Sequence, residues 1–228
     1  MPQALNKSEM SSTLDKGRDG LRERQKRDRR RRILNAARKL FDRRVSGPSM
    51  MQEVASRAGL AVGTLYNYFP TRDDLLLGIM KRESRRVTEV GTRILDSPPV
   101  NPIDGLLKIA DVFVDAAVAD GRRLWREALI AAMTKPETIG ARLFELDSAL
   151  IAQFQALITK LKSTGRLAAA VDPFHAATLI YAVCLTWGMA FLMSDAVDAQ
   201  TMREGIRTGI ALAVSGLLPH SNAASPRS

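Results

Sequence analysis

The chain has 228 residues, 46% hydrophobic and 25% charged, which is enough apolar surface to bury a sizeable core and too much for wholesale disorder. A single cysteine, Cys184, excludes a disulfide framework and zinc sites built on cysteine pairs, and two histidines, His175 and His220, give no basis for a metal centre. The net charge of +10 sits wholly in residues 1–72, with 17 Lys and Arg against 7 Asp and Glu, whereas residues 73–228 hold 17 of each. A neutral protein with a basic N-terminal third points to a polyanion-binding module joined to a module with another task. The opening MPQALNKSEM has no apolar stretch of signal-peptide type, so a cytoplasmic location is expected.

Residues 1–24 are expected to form a disordered basic tail, being polar and without periodicity. Arg22–Arg32 is a dense basic run with two open readings: a solvated helix end, or an arm adding phosphate or minor-groove contacts. Ile33, Ala37, Leu40 and Phe41 recur at helical spacing, so a first helix starts between Leu21 and Arg29 and ends near Val45. Ser49 and Gln52 have capping-box spacing, and Met51, Val54, Ala55 and Ala58 form the stripe of a second helix. Gly59 ends it, as a residue free to take positive φ. A third helix, Val62–Phe69, is stopped by Pro70. Helix, tight glycine turn, helix is a helix-turn-helix pattern.

Thr71 and Asp74 make another capping pair, opening a helix over about 72–95. Three prolines block regular structure in Asp96–Pro102. Helices are then expected near 103–119, 121–134, 137–164, 172–194 and 198–217, with a disordered tail over 221–228. Leu143, Leu146, Leu150, Phe154, Leu157 and Leu161 give the clearest stripe, and no stretch alternates as a strand would. The fold class is therefore all-α. Residues 176–193 carry no charge, and threonines within and aspartates beside them favour a fully buried helix over a membrane span. Met202, Ile206, Ile210, Ala213 and Leu217 form a last stripe, with Arg203 and Arg207 expected to face away from it.

The block QEVASRAGLAVGTLYNYFPTRDDLL, Gln52–Leu76, resembles the DNA-binding signature of the TetR family of transcriptional regulators. The resemblance rests on Val54-Ala55, Ala58-Gly59-Leu60, Gly63-Thr64-Leu65-Tyr66, Tyr68-Phe69, Thr71-Arg72 and Asp74-Leu75-Leu76. Upstream, Ile33-Leu34-Asn35-Ala36-Ala37 and Leu40-Phe41 match the family's first helix, so the likeness covers residues 29–80. It implies a three-helix helix-turn-helix domain over 25–70, then a helical ligand-binding and dimerisation domain over 71–220. Two departures stand out: Val45, where the family usually has Gly, and Ala61 in place of a capping Ser or Thr. Losing that cap costs about 1 kcal/mol.

The DNA-contacting residues implied are Ser49, Val62, Gly63, Thr64, Tyr66, Asn67, Tyr68 and Arg72. A helix of this length fits the major groove, and Gly63 lets its backbone come close. Thr64, Tyr66 and Tyr68 offer hydroxyls to phosphate, Arg72 a guanidinium, and Val62, Gly63 and Asn67 face the bases. Asn67 suits adenine or a phosphate. The partners implied are a double-stranded DNA operator, a second copy of the chain bound through residues 172–217, and a partly apolar small-molecule effector. Trp125, Met133, Phe144, Phe154, Tyr181, Trp187 and Met189 are the candidate pocket residues, each of a type more often found in plain core. No glycine-rich phosphate loop, metal-spaced cluster or nucleophile elbow is present. The expected role is thus a ligand-released repressor, not an enzyme, with no cofactor, no metal and no membrane partner.

Overall fold

The computed structural model describes residues 7–41 and 48–216. Among these lie α1 (Lys7–Phe41), α2 (Pro48–Ala58), α3 (Val62–Tyr68), α4 (Arg72–Asp96), α5 (Pro102–Thr134), α6 (Ala141–Ser163), α7 (Pro173–Met193) and α8 (Ala199–Ser215), and no strand. The chain divides into two compact units, 1–75 and 76–228.

In the first unit α1 packs on α2 and α2 on α3. Ile33, Ala37, Leu40 and Phe41 of α1, with Met50, Val54 and Ala55 of α2, are fully buried. The helix starts far earlier than the expected window of Leu21 to Arg29: residues 7–20 are helical, where the sequence suggested a disordered tail. Residues 7–32 contain no proline and many good helix formers, but no apolar stripe, so periodicity gives no sign of the helix there. Asp28 braces it, accepting from Arg31 at 2.6 Å with Arg32 at 3.4 Å. The expected helix end near Val45 and the tail 221–228 lie outside the described residues. Helix α2 begins at Pro48, which puts Ser49 in the first turn instead of at the cap. Proline suits that first position because its missing N–H would have had no helical partner.

In the second unit α5, α6, α7 and α8 pack on one another. Their core joins Leu106 and Ile109 to Phe154, Leu157, Ile180, Cys184, Ile206 and Ile210. Burial pushes the Cys184 thiol up to about 12, so it packs as a small hydrophobe. Side-chain caps start three of these helices: Asn101 accepts from Ile103 N, Asp172 from His175 N and Asp198 from Thr201 N, at 2.7–3.0 Å. Helix α5 turns at Gly121 (φ 79°, ψ 150°), a conformation other residues resist, so its two arms match the two helices expected there. The helix expected over 137–164 is α6 preceded by a π-helical turn, Pro136–Gly140. There the Lys135 carbonyl accepts from the amides of Thr138, Ile139 and Gly140, drawing the chain into a wider turn.

Arginines join the helices of this unit, Arg122 and Arg203 among them. Arg122 donates to the carbonyls of Ser194 (2.7 Å) and Val197 (2.6 Å) and to Asp195 (2.9 Å), and lies over the Phe191 ring. Arg203 does not face away as the sequence suggested; it bridges Asp111 (3.0 Å) and Asp115 of α5. Helix α7 also departs from expectation. It is long and apolar enough to cross a membrane, yet Leu179, Leu185 and Met193 lie on an exposed face, so it is not fully buried in the single chain.

Helices α7 and α8 meet at two glycines. A Cβ added to Gly209 would come within 2.5 Å of Val183, and one added to Gly205 would penetrate the Trp187 indole. Gly205→Ala is expected to lower stability by about 1–2 kcal/mol in urea denaturation. Overpacking costs roughly 1–3 kcal/mol, and the helical gain of alanine over glycine offsets up to about 1. A variant as stable as the parent would mean that α7 and α8 do not approach this closely.

Candidate DNA interface and internal cavity

The link from α2 to α3 is a Schellman turn. Gly59 takes φ 65°, its N–H donates to Ser56 O (3.0 Å), and Leu60 N–H reaches back to Ala55 O (2.9 Å). Ala61 then opens α3 from extended backbone with no side-chain cap, as its methyl group requires. Leu65 and Phe69 are the buried anchors of this region. Spacing of four puts them on one side, which leaves Val62, Gly63, Tyr66 and Asn67 exposed on the other. Thr64 and Tyr68 flank that face half-buried, and Ser49 is exposed in the first turn of α2.

Arg72 sits differently from a free clamp. Its guanidinium lies 4.7 Å over the Phe41 ring, and its Nε is 3.3 Å from Met50 Sδ, so the side chain is held against α1 and α2. The Thr71 and Asp74 box closes in both directions: Thr71 N donates to Asp74 Oδ2 (3.0 Å) and Asp74 N to Thr71 Oγ1 (3.1 Å). One contact was missed from sequence. Arg30, in the basic run, lies 4.7 Å over the Phe69 ring. The only sequence signal for it is its place one turn from the buried Ile33 and Leu34.

In the second unit, α5, α6 and α7 form a half-open cavity of about 120 Å³ lined by Phe113, Trp125, Leu143, Asp147, Tyr181 and Met189, among others. A smaller one of about 60 Å³ shares Phe113, Trp125, Leu143 and Asp147 with it and also has α4 residues in its wall. Burial raises the Asp147 carboxyl above the ordinary aspartate value, opposed by a hydrogen bond from Tyr181. The Tyr181 phenol is pushed up by burial and then by Asp147, so it stays a neutral donor. The Trp125 indole N–H is buried with no hydrogen-bond partner.

Of the seven aromatic and methionine residues considered for a pocket, Trp125, Tyr181 and Met189 line this cavity. Phe154 is wholly inside the core, and Trp187 packs at Gly205. Met133 and Phe144 are 77% and 71% exposed. Asp147 was not picked out from sequence. The sign was available: it sits four residues after Leu143 and three before Leu150, an acid on the apolar stripe of α6.

A basic three-helix unit that offers one face of a short helix after a glycine turn belongs to the helix-turn-helix class of DNA-binding domains. Residues 33–79 match the family model described as bacterial regulatory proteins, tetR family. The HTH-type transcriptional repressor KstR of Rhodococcus jostii is 35% identical over 104 residues, 46% of this chain and 48% of that protein. The match thus spans about half the length of that relative. Two solved structures share the fold: Salmonella enterica GusR (TM-score 0.62, 22% identity, 82% of this chain and 95% of that one), and Thermus thermophilus FadR, a TetR-family repressor in complex with lauroyl-CoA (TM-score 0.61, 19% identity, 87% and 100%).

The fold itself does not demand glycine at 63: its φ is not positive, and a Cβ there meets nothing within 4 Å. Gly63→Ala is therefore expected to leave the melting temperature unchanged or raised, by at most about 1 kcal/mol of helix propensity. DNA affinity in fluorescence anisotropy should nevertheless fall about tenfold, because the methyl group holds the backbone off the groove floor. Unchanged affinity would remove Gly63 from the interface.

Proposed function

We propose that this chain is a cytoplasmic, homodimeric transcriptional repressor that binds operator DNA through α2 and α3 and releases it when a small molecule occupies the second unit. The observation that carries this reading is α3 itself, anchored by Leu65 and Phe69 and exposing Val62, Gly63, Tyr66 and Asn67 from the basic unit. In the division proposed, residues 25–70 bind DNA and 71–220 bind the effector and the second copy. Val62, Gly63 and Asn67 meet the bases, while Ser49, Thr64, Tyr66 and Tyr68 meet phosphates. Arg72, held on Phe41, is assigned a further phosphate contact. The exposed basic side chains of residues 20–32 extend the phosphate contacts along a helix, and not along a flexible tail.

Dimerisation is assigned to α7 and α8. Their outward residues include Leu179, 51% exposed, and Leu212, 69% exposed, and a second copy of the same apolar face is the natural cover. Effector binding acts through α4, which starts in the first unit and runs into the second. The ligand needs only a differential affinity for the two states, with couplings of about 1–3 kcal/mol. The role is regulatory and not catalytic.

Selection of bound sequences from a random DNA pool, followed by gel shifts at several salt concentrations, tests the reading. A specific site with steep salt dependence is expected, and binding of no DNA would end it. On that site Tyr66→Phe should weaken specific and non-specific binding about equally, since it removes a phosphate donor. Loss confined to the specific site would make Tyr66 a base reader. Leu179→Lys and Leu212→Lys place an ammonium on a face already open to water in the single chain, so each fold should survive. Analytical ultracentrifugation should then find folded monomers that no longer hold the operator. Folded dimers in both variants would move the interface elsewhere.

A further inference from the structure

The cavity of the second unit is also selective in its chemistry. Among the described residues no Lys, Arg or His lines either lobe, and Asp147 is the one carboxyl in their walls. An anionic ligand group would therefore enter an apolar space that already holds an acid and offers no counter-charge, an arrangement burial makes costly. Two polar groups in the wall have unused capacity. The carboxyl of Asp147 has about four acceptor positions and its named donor is the single Tyr181 hydroxyl. The Trp125 N–H donates to nothing. The first calls for a donor and the second for an acceptor. A hydroxyl group is both. An ammonium ion has no acceptor for Trp125, and a carboxylate has no proton for Asp147. A saturated acyl chain brings neither.

We infer that the ligand of this cavity is an uncharged, largely apolar alcohol whose hydroxyl donates to Asp147 and whose oxygen atoms serve the Trp125 N–H. The inference rests on the effector reading above and narrows it to a substrate class. Aromatic and aliphatic walls such as Phe113 and Met189 hold the hydrocarbon body by burial, and the polar groups set its orientation.

Calorimetric titration of the full chain with decan-1-ol below its solubility limit, and with decanoate and decylamine below their micelle concentrations, tests this without any variant. Decanol is expected to bind about tenfold more tightly than either charged analogue, one hydrogen bond's difference in affinity. Asp147→Asn should close most of the gap between decanol and decanoate, and Trp125→Phe the gap between decanol and decylamine, with melting curves showing that both variants are folded. Decanoate or decylamine binding as well as decanol, no binding of any probe, or an unaltered preference in folded Asp147→Asn would overturn the assignment. Gel shifts on the selected DNA site, with and without decanol, separate this from the regulator reading. Alcohol preference in a chain that binds no DNA would overturn the regulator and keep the cavity. Release of DNA by decanoate in place of decanol would overturn the cavity and keep the regulator.

Discussion

A seven-residue helix has almost no stability of its own in water, because forming the first turn fixes several residues for a single hydrogen bond. Everything assigned to α3 depends on what holds it from outside. Leu65 and Phe69 supply roughly 1.5–3 kcal/mol each by burial, and the Schellman turn at Gly59 sets the direction in which the helix leaves α2. Because the anchors take one side only, the other is free to carry chemistry instead of packing. The missing cap at Ala61 is tolerable for the same reason: a loss of about 1 kcal/mol is small beside two buried anchors.

The second unit solves a different problem, which is to keep a cavity open inside a helical core. Gly205 and Gly209 let α7 and α8 close on each other on one side, while the bend at Gly121 redirects the second arm of α5 across the other. Arg122 ties that arm to the carbonyls after α7, and Arg203 ties α8 to the first arm. These are ionic and polar ties at the margins of the core. With the margins fixed, the space around Asp147 need not be filled by side chains for the helices to hold position.

The helices and their limits were legible wherever a chemical signal marks them. The acids and amides of Asn101, Asp172 and Asp198 start helices where periodicity placed them, and Gly121 divides two arms as the sequence suggested. The start of α1 was not legible, since residues 7–32 carry charges on every side and no stripe. Exposed-face side chains of α3 followed from the resemblance and from a spacing of four between Leu65 and Phe69. The cavity was only half legible. Large apolar side chains look alike in sequence whether they fill a core, as Phe154 does, or face solvent, as Phe144 does. What distinguishes a cavity wall is a polar group where an apolar one would pack better, and Asp147 was that group.

The exposed faces of α3 and α7 differ in their chemistry. On α3 the exposed residues are Val62, Gly63, Tyr66 and Asn67, a mixed face with a glycine where the fold needs none, which leaves the backbone open to close approach. On α7 they include Leu179 and Leu185, and the threonines next to them in the chain, Thr178 and Thr186, return their hydroxyls to the backbone at Phe174 and Ala182. That internal bonding removes the donors a polar partner would use and leaves methyl groups outward. A surface prepared in this way gains nothing from DNA, and in water it is a cost until another apolar surface covers it. Charge segregation completes the separation: of the net +10, residues 76–228 carry only +2 (17 Lys and Arg against 15 Asp and Glu), so the second unit competes little for a polyanion.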